Sequence, residues 1–230
     1  MSNGQISRNF LPQWIITNTV SLPVSLALLV IFIFNYSVNG TKPVGYVGLA
    51  VAGAVVGLAQ WLVLRKEVSR IGIWWILTNI PGLYVGIVVS FLLAWSTTSM
   101  LSDKVFGSAQ ILLGGFVGGT IGGAITGITQ SFLLARRVLV TRLWIIWILS
   151  STVAWAVAWS LGWAVALLVS LSLVGGVIAP SLFEYVISFV FGVIFGIIFG
   201  FLNGAITGNV LVWVILKSRA TSSSGNARNI

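Results

Sequence analysis

The chain has 230 residues, of which 7% are charged and 58% are hydrophobic, and its formal net charge is +9. A soluble protein of this length could not cover its surface with so few charges, so the composition indicates an all-α integral membrane protein with about six spanning helices. The chain contains no Cys and no His, which excludes disulfides, thiolate chemistry and His-ligated metal or haem.

The apolar stretches predict four spanning segments in the first part of the chain, at about residues 13–35, 44–64, 71–96 and 107–135. Between Arg142 and Lys217 the chain is nearly uncharged. Two long helices with a break at Gly175-Gly176 account for this stretch, because glycine pairs favour turns. Three shorter helices would also fit by length, but two keep the carboxy terminus on the same side as the other basic clusters.

Basic residues fall in every second gap between apolar segments, with clusters at Arg65–Lys66, Arg136–Arg137 and around Lys217. This alternation is typical of membrane topology rather than of a nucleic-acid-binding surface, and it places both termini in the cytoplasm. The outer loops then carry few charged residues, namely Lys42, Asp103, Lys104 and Glu184. The Ser-rich residues 220–230 are predicted to form a disordered tail.

A threefold internal repeat organises the predicted six-helix domain (residues 1–219). The motif Trp14–Asn18 recurs as Trp75–Asn79 and, degenerate, as Trp147–Ser151. The returning helices also align, and the alignment pairs Gln60 and Gln130 with Leu211. The sequence therefore predicts three helical hairpins over residues 8–70, 71–142 and 143–219. Since each repeat holds two spans, the copies share one orientation and are parallel repeats.

Columns of glycine at four-residue spacing mark the second helix of each hairpin. Small residues let helices approach closely in lipid, so the columns predict glycine-zipper packing with right-handed crossings. We expect these three helices at the centre of the bundle, with their columns facing one another across its axis. The column residues are Gly45, Gly53 and Gly57, then Gly115, Gly119, Gly123 and Gly127, then Gly192, Gly196, Gly200, Gly204 and Gly208, and a second column in the fourth span has Gly114, Gly118 and Gly122.

Polar residues recur at matching positions, roughly 8–14 Å inside the basic boundary at 1.5 Å per helical residue. We expect them to form one layer across the bundle, made of Asn18, Gln60, Asn79, Gln130, Ser151 and Asn209. Two interpretations stay open. The layer could bind or constrict a small polar ligand, or it could supply hydrogen bonds between helices, as buried polar side chains in membranes commonly do.

Tryptophan is abundant at the predicted cytoplasmic boundary, and this distribution is typical of an interfacial aromatic belt. The belt residues are Trp14, Trp61, Trp74, Trp75, Trp144, Trp147 and Trp213. Trp155, Trp159 and Trp163 lie instead at four-residue spacing inside the fifth span. They could stack on an apolar pigment or lipid tail, or fill grooves that glycine leaves on a neighbouring helix.

The segment Gly57–Arg65, followed by Val68-Ser-Arg70 and the pair Trp74-Trp75, resembles a family of bacterial membrane proteins. These are small, uncharacterised polytopic proteins, common in cyanobacteria, that repeat a Q-W-L-V-L-R element before a W-W helix start. The resemblance covers about residues 45–160. It implies a bacterial inner or thylakoid membrane and brings no known activity or site.

No Asp, Glu, Lys or Arg falls at mid-depth in the predicted spans. Proton coupling, voltage sensing and intramembrane acid–base catalysis need such groups, so we expect no enzyme, no metal and no nucleotide. The sequence favours a scaffold, assembly factor or complex subunit, with lipid or an apolar pigment as a candidate ligand. Membrane lipids, other membrane proteins or further copies of the chain are the expected partners. The alternative is a passive channel or uniporter for a small neutral solute.

Overall fold

The computed structural model describes residues 6–39, 43–68, 71–100, 107–138, 140, 142–174 and 180–226. These residues form the helices α1 (Phe10–Asn39), α2 (Pro43–Glu67), α3 (Asn79–Met100), α4 (Gly107–Ala135), α5 (Leu143–Val174) and α6 (Pro180–Asn226). A 3₁₀ helix (Ile73–Thr78) leads directly into α3. The predicted break at Gly175-Gly176 and the predicted outer-loop residues Lys42, Asp103 and Lys104 lie outside the described residues.

Five described helices are long and apolar enough to cross a membrane. The spanning candidates are Phe10–Ile31, Val47–Glu67, Leu112–Ala135, Leu143–Ala166 and Ser188–Ala220. The 3₁₀ helix and the start of α3 together form a shorter apolar segment, Ile73–Val89. The described chain is therefore all-helical and has the length and hydropathy of a multi-pass integral membrane protein, while the sixth span stays a prediction.

The 3₁₀ segment reflects the position of Pro81. Proline has no backbone N–H, so the carbonyl of Leu77 loses its α-helical donor. Pro81 is tolerated because it lies in the first turn of α3, where N–H groups have no intrahelical partner in any case. The predicted third span is thus divided into a 3₁₀ turn, which carries Trp75, and an α-helix that begins at Asn79.

The helices form a closed ring in chain order. Each packs against its neighbours in sequence, and α6 packs back against α1. The expectation that the glycine columns face one another across the axis is wrong for the described residues. Three of the columns lie against the next helix round the ring, so that a Cβ would meet Ile80 from Gly53, Ile76 from Gly57, Thr152 from Gly123, Ile148 from Gly127, Thr19 from Gly200 and Ile15 from Gly204. The second column of α4 lies against the preceding helix instead, because a Cβ at Gly122 would meet Gly82 and Gly86 of α3. These glycines therefore lie at contacts between neighbouring helices of the ring.

Among the described residues, two clusters of buried apolar side chains lie inside the ring at different depths. The loop-side cluster adjoins the basic loops and includes Phe10, Trp14, Leu64, Trp75, Leu134, Trp147 and Leu211. The mid-bundle cluster lies deeper and includes Leu22, Val56, Leu83, Trp155, Trp159, Phe195 and Phe199. Between them each helix contributes at least one buried polar side chain, which creates a polar layer enclosed by apolar packing.

Helix α6 extends further than the sequence predicts. Residues 220–226 are helical, where the composition indicated a disordered tail, and 227–230 lie outside the described residues. Adding a residue to an existing helix costs far less than nucleating a new one. The helix therefore continues past Lys217 although the Ser-rich sequence would not start one.

Candidate functional site: a buried polar layer

Gln60 of α2 is the centre of the polar layer. Its Nε2 donates to Asn18 Oδ1 at 2.8 Å, which ties α2 to α1. Its Oε1 accepts from Asn79 Nδ2 at 3.0 Å, from Trp75 Nε1 at 3.3 Å and, more weakly, from Gln130 Nε2 at 3.5 Å. All five residues are buried. One amide therefore connects helices α1 to α4, in a medium where an unpaired polar group is costly.

The indole N–H groups of three tryptophans each donate to a polar side chain on the preceding even-numbered helix. Trp75 donates to Gln60, and Trp147 donates to Gln130 Oε1 at 3.2 Å. Trp14 donates to Thr207 Oγ1 at 3.1 Å. The acceptor for Trp14 is thus Thr207 and not Leu211, which the sequence alignment paired with the two glutamines. Leu211 lies one turn further on, in the loop-side apolar cluster.

These bonds correct the predicted aromatic belt. Trp14, Trp75 and Trp147 are at most 1% exposed, so they belong to the core and not to an interface. The other tryptophans are more accessible, as a belt requires: Trp61 is half-buried, and Trp74, Trp144 and Trp213 are exposed. Each of these three buried tryptophans has a polar acceptor, which removes the cost of burying its N–H.

Of the six predicted layer residues, the structure brings Asn18, Gln60, Asn79 and Gln130 into the network above. Ser151 is buried and lines the same space, but its Oγ has no hydrogen-bond partner.

Asn209 does not join the layer. It is exposed, and its Nδ2 donates to the carbonyl of Ala205 in its own helix. Asn203 and Thr207 of α6 are buried and line the layer instead. At 100° per residue, Asn209 points about 120° away from Asn203, whereas Thr207 points only about 40° away.

A small cavity lies at the centre of the layer. Its volume is about 10 Å³, which is the smallest size that accommodates one water molecule. Among the described residues, those that line it are all uncharged: Trp14, Gln60, Asn79, Thr126, Gln130, Trp147, Ser151, Trp155, Asn203 and Thr207. Thr126 Oγ1, Ser151 Oγ and Asn203 Oδ1 are buried without a hydrogen-bond partner. The cavity therefore offers neutral acceptors and hydroxyl donors but no charge.

Stacked aromatic rings of the mid-bundle cluster pack against one side of this cavity. Trp155 and Trp159 stack with centroids 5.7 Å apart, and Phe199 meets both edge-on at 5.1 and 5.5 Å. A Cβ added at Gly119 would lie 2.7 Å from Trp159 Cβ, and one at Gly123 would lie 2.6 Å from Trp155 Cβ. Trp155 and Trp159 thus occupy the space that the glycines of α4 leave. This agrees with the interpretation that these tryptophans fill grooves on a neighbouring helix.

Charged side chains meet at the loop end of the bundle. Arg219 Nη2 lies 3.1 Å from Glu67 Oε2, and the Ser7 backbone N–H donates to Glu67 Oε1 at 3.2 Å. This pair joins the end of α6 to the end of α2. Among the described residues, no group of three or more His, Cys, Asp or Glu side chains could hold a metal ion.

No protein-family model matches the chain, and no curated protein or solved structure matches it either. The family resemblance of the Q-W-L-V-L-R element therefore stays an expectation.

Sequence reasoning missed Thr126, Asn203, Thr207 and the three indole donors as members of the layer. A signal for some of them exists, because Ala-Ile-Thr-Gly occurs at residues 124–127 and again at 205–208. The buried tryptophans likewise open each repeat motif. Asn203 has no such signal, since no other repeat carries an amide at that position.

Proposed function

We propose that this protein is a non-catalytic, multi-pass membrane protein that acts as a scaffold, assembly factor or subunit of a larger complex. Its six spans would form three parallel hairpin repeats joined by glycine-zipper seams, with both termini in the cytoplasm of a bacterial inner or thylakoid membrane. Lipids, a membrane-protein partner or a second copy would cover its outer faces.

The contacts of the glycine columns support the repeat arrangement. In each seam, the second helix of one hairpin meets the first helix of the next. In all three seams the glycine contacts the isoleucine that directly follows the motif tryptophan: Gly57 lies against Ile76, Gly127 against Ile148 and Gly204 against Ile15. Equivalent contacts at three seams are what parallel repeats around one axis would produce.

The filled interior is the observation that carries the scaffold proposal. The loop-side and mid-bundle clusters lie on either side of the polar layer, and the space left at the centre is about 10 Å³. Sites for metabolites are far larger, at about 300–1,000 Å³. A bundle packed in this way is suited to hold its outer surface in a fixed shape.

An aliphatic ridge on α5 is the outer surface best suited to contact a partner helix. It consists of Leu149, Val153, Val157, Leu161, Val165 and Leu168, all exposed by at least 37%. Each of the first five lies four residues after the one before and is therefore rotated about 40° from it, so the ridge winds along the outer side of α5. The ridge carries no polar group, so a lipid tail or an apolar helix or pigment matches it.

Site-specific photo-cross-linking in native membranes tests the scaffold proposal. A photoreactive residue at Val157 is expected to cross-link one defined protein, either a partner or a second copy of the chain. The same residue at the neighbouring Ala158, which is fully buried, is the matched control and should give no intermolecular product. Positions on other faces, such as Val20 and Phe132, map the extent of the contact.

Purification in mild detergent with mass spectrometry should recover the cross-linked protein, lipid or pigment together with the chain. Cross-links to lipid alone from all faces, with a clean ligand-free monomer after purification, would contradict the scaffold role.

A passive pathway for a small neutral solute is the second candidate function. The polar layer with its three unpartnered atoms favours it, because such groups are expensive inside a membrane and commonly mark a pathway. Proteoliposomes would then pass water, glycerol or urea faster than empty vesicles. The double variant Gln60→Leu, Gln130→Leu should abolish this flux, while Asn209→Leu should not. Permeability equal to that of empty vesicles would eliminate the pathway.

A further inference from the structure

Two side chains in the polar layer are shorter than their counterparts, and both border the central cavity. Ser151 follows its motif tryptophan by four residues, as Asn18 and Asn79 do. Thr207 accepts an indole N–H, as Gln60 and Gln130 do. Serine and threonine lack the amide arms of asparagine and glutamine, so the cavity lies where two amides would complete the layer.

Three buried polar atoms belong to residues that line this cavity and have no partner: Thr126 Oγ1, Ser151 Oγ and Asn203 Oδ1. Their residues are 2%, 1% and 4% exposed and come from α4, α5 and α6 respectively. Inside a membrane, a buried polar atom cannot form a hydrogen bond to bulk water instead. A ligand that bonds these atoms would connect three helices that the Gln60 network joins only in part.

The three unpartnered atoms determine which hydrogen bonds that ligand must form. The Asn203 amide oxygen only accepts hydrogen bonds, so the ligand must be a donor, and the two hydroxyls can each donate or accept. The lining is uncharged, and an ion without a counter-charge is strongly disfavoured in a low-dielectric interior. The volume of about 10 Å³ admits one water and nothing larger.

We propose that the cavity is a binding site for a single structural water molecule. The water donates to Asn203 Oδ1, forms hydrogen bonds with the hydroxyls of Ser151 and Thr126, and thereby takes the place of the amide that Ser151 lacks. It completes the polar layer between α4, α5 and α6. This site is independent of the scaffold proposal, since the water serves the bundle whatever its outer surface binds.

A structure of the full chain in lipid nanodiscs, at a resolution that shows ordered water, tests this site. In the wild type we expect one peak within about 3 Å of at least two of the three atoms. The variant Ser151→Asn restores the repeat residue and should displace the water, so its amide should occupy the peak. Ser150→Asn is the matched control, because the Ser150 hydroxyl bonds to the carbonyl of Trp147 and lies outside the cavity lining; this variant should retain the peak.

Three results would overturn the proposal. The first is a wild-type structure with ordered side chains around the cavity but no peak in it. The second is a peak that persists unchanged in Ser151→Asn. The third is a peak with several oxygen ligands at about 2.3–2.6 Å, which would indicate a cation. If Ser151→Asn does not fold, the isosteric Thr126→Val removes one partner of the water, and the occupancy of the peak should fall. Unchanged occupancy in Thr126→Val would then count against the site.

Discussion

The seam between α6 and α1 allows a sharp test of glycine packing, because two glycines of the same column differ in what lies opposite. A Cβ added at Gly200 would lie 2.7 Å from the carbonyl carbon of Asn18 and 2.8 Å from Thr19 Cα. A Cβ added at Gly192 would lie 3.6 Å from Leu26 Cβ, which is ordinary contact. We therefore expect Gly200→Ala to be destabilising and Gly192→Ala to be tolerated.

The magnitude follows from the separation that the new methyl group imposes. Ordinary contact begins at 3.4 Å and the Asn18 carbonyl oxygen lies nearer still than its carbon, so the two helices must move apart by at least about 0.7 Å at Gly200. The opposing atoms are backbone and cannot rotate away. A gap of about that size forfeits a quarter to a half of the dispersion energy of each contact around it. We expect a loss of about 2 kcal/mol, or roughly a 30-fold shift in the unfolding equilibrium. For Gly192→Ala the change should stay within about 0.5 kcal/mol.

Unfolding by SDS titration in mixed micelles, followed by tryptophan fluorescence, measures both variants against the wild type. Equal midpoints for Gly200→Ala and Gly192→Ala would refute the close approach of α6 to α1. Gly123→Ala repeats the test at the seam of α4 and α5, where a Cβ would lie 2.7 Å from the carbonyl oxygen of Ser151.

Three further substitutions test single contacts by the same titration. Gln60→Leu removes the acceptor of three buried donors and should cost about 2–3 kcal/mol. Asn209→Leu, at an exposed position, should change stability by less than about 0.5 kcal/mol, and similar losses for the two variants would contradict the network. Trp75→Phe should destabilise by about 1–3 kcal/mol, because Trp75 is fully buried and its loss removes one hydrogen-bond donor from Gln60. Trp74→Phe, at a position that is 67% exposed, should be nearly neutral. The reverse order would refute the assignment of Trp75 to the core. Glu67→Gln breaks a partly exposed ion pair and should cost less than about 1 kcal/mol, with the difference shrinking in high salt; a large, salt-independent loss would show that the pair is structural.

The sequence predicted the polar layer better than it predicted the residues that complete it. Asn18, Gln60, Asn79 and Gln130 could be found because they recur at fixed distances from tryptophan and glycine motifs. The prediction that Asn209 belongs to the layer was wrong, because the neighbours of a residue in sequence do not determine which face of a long helix is buried. Helix α6 is apolar all round, so no amphipathic stripe distinguished Asn203 from Asn209.

The predicted aromatic belt failed in part for a related reason. Depth along a helix can be read from the distance to a basic cluster, but direction around it cannot. Trp74 and Trp75 are adjacent and equally deep, yet one is 67% exposed and the other fully buried. The acceptor on Gln60 is what makes the buried position favourable, and that acceptor comes from another helix.

The sequence by itself determined the class of the protein and the rough position of its helices, because hydropathy over about 20 residues depends only on local composition. Only the tertiary structure decided the register of α6 against α1. A glycine column that repeats every four residues looks the same after a shift of one turn. The sequence alignment therefore made Leu211 the counterpart of Gln60, whereas in the structure Thr207 takes the role of Gln60 as the acceptor of an indole N–H. That one-turn shift gives Trp14 a short hydroxyl as its acceptor, where Trp75 and Trp147 have an amide, and it contributes to the cavity at the centre of the polar layer.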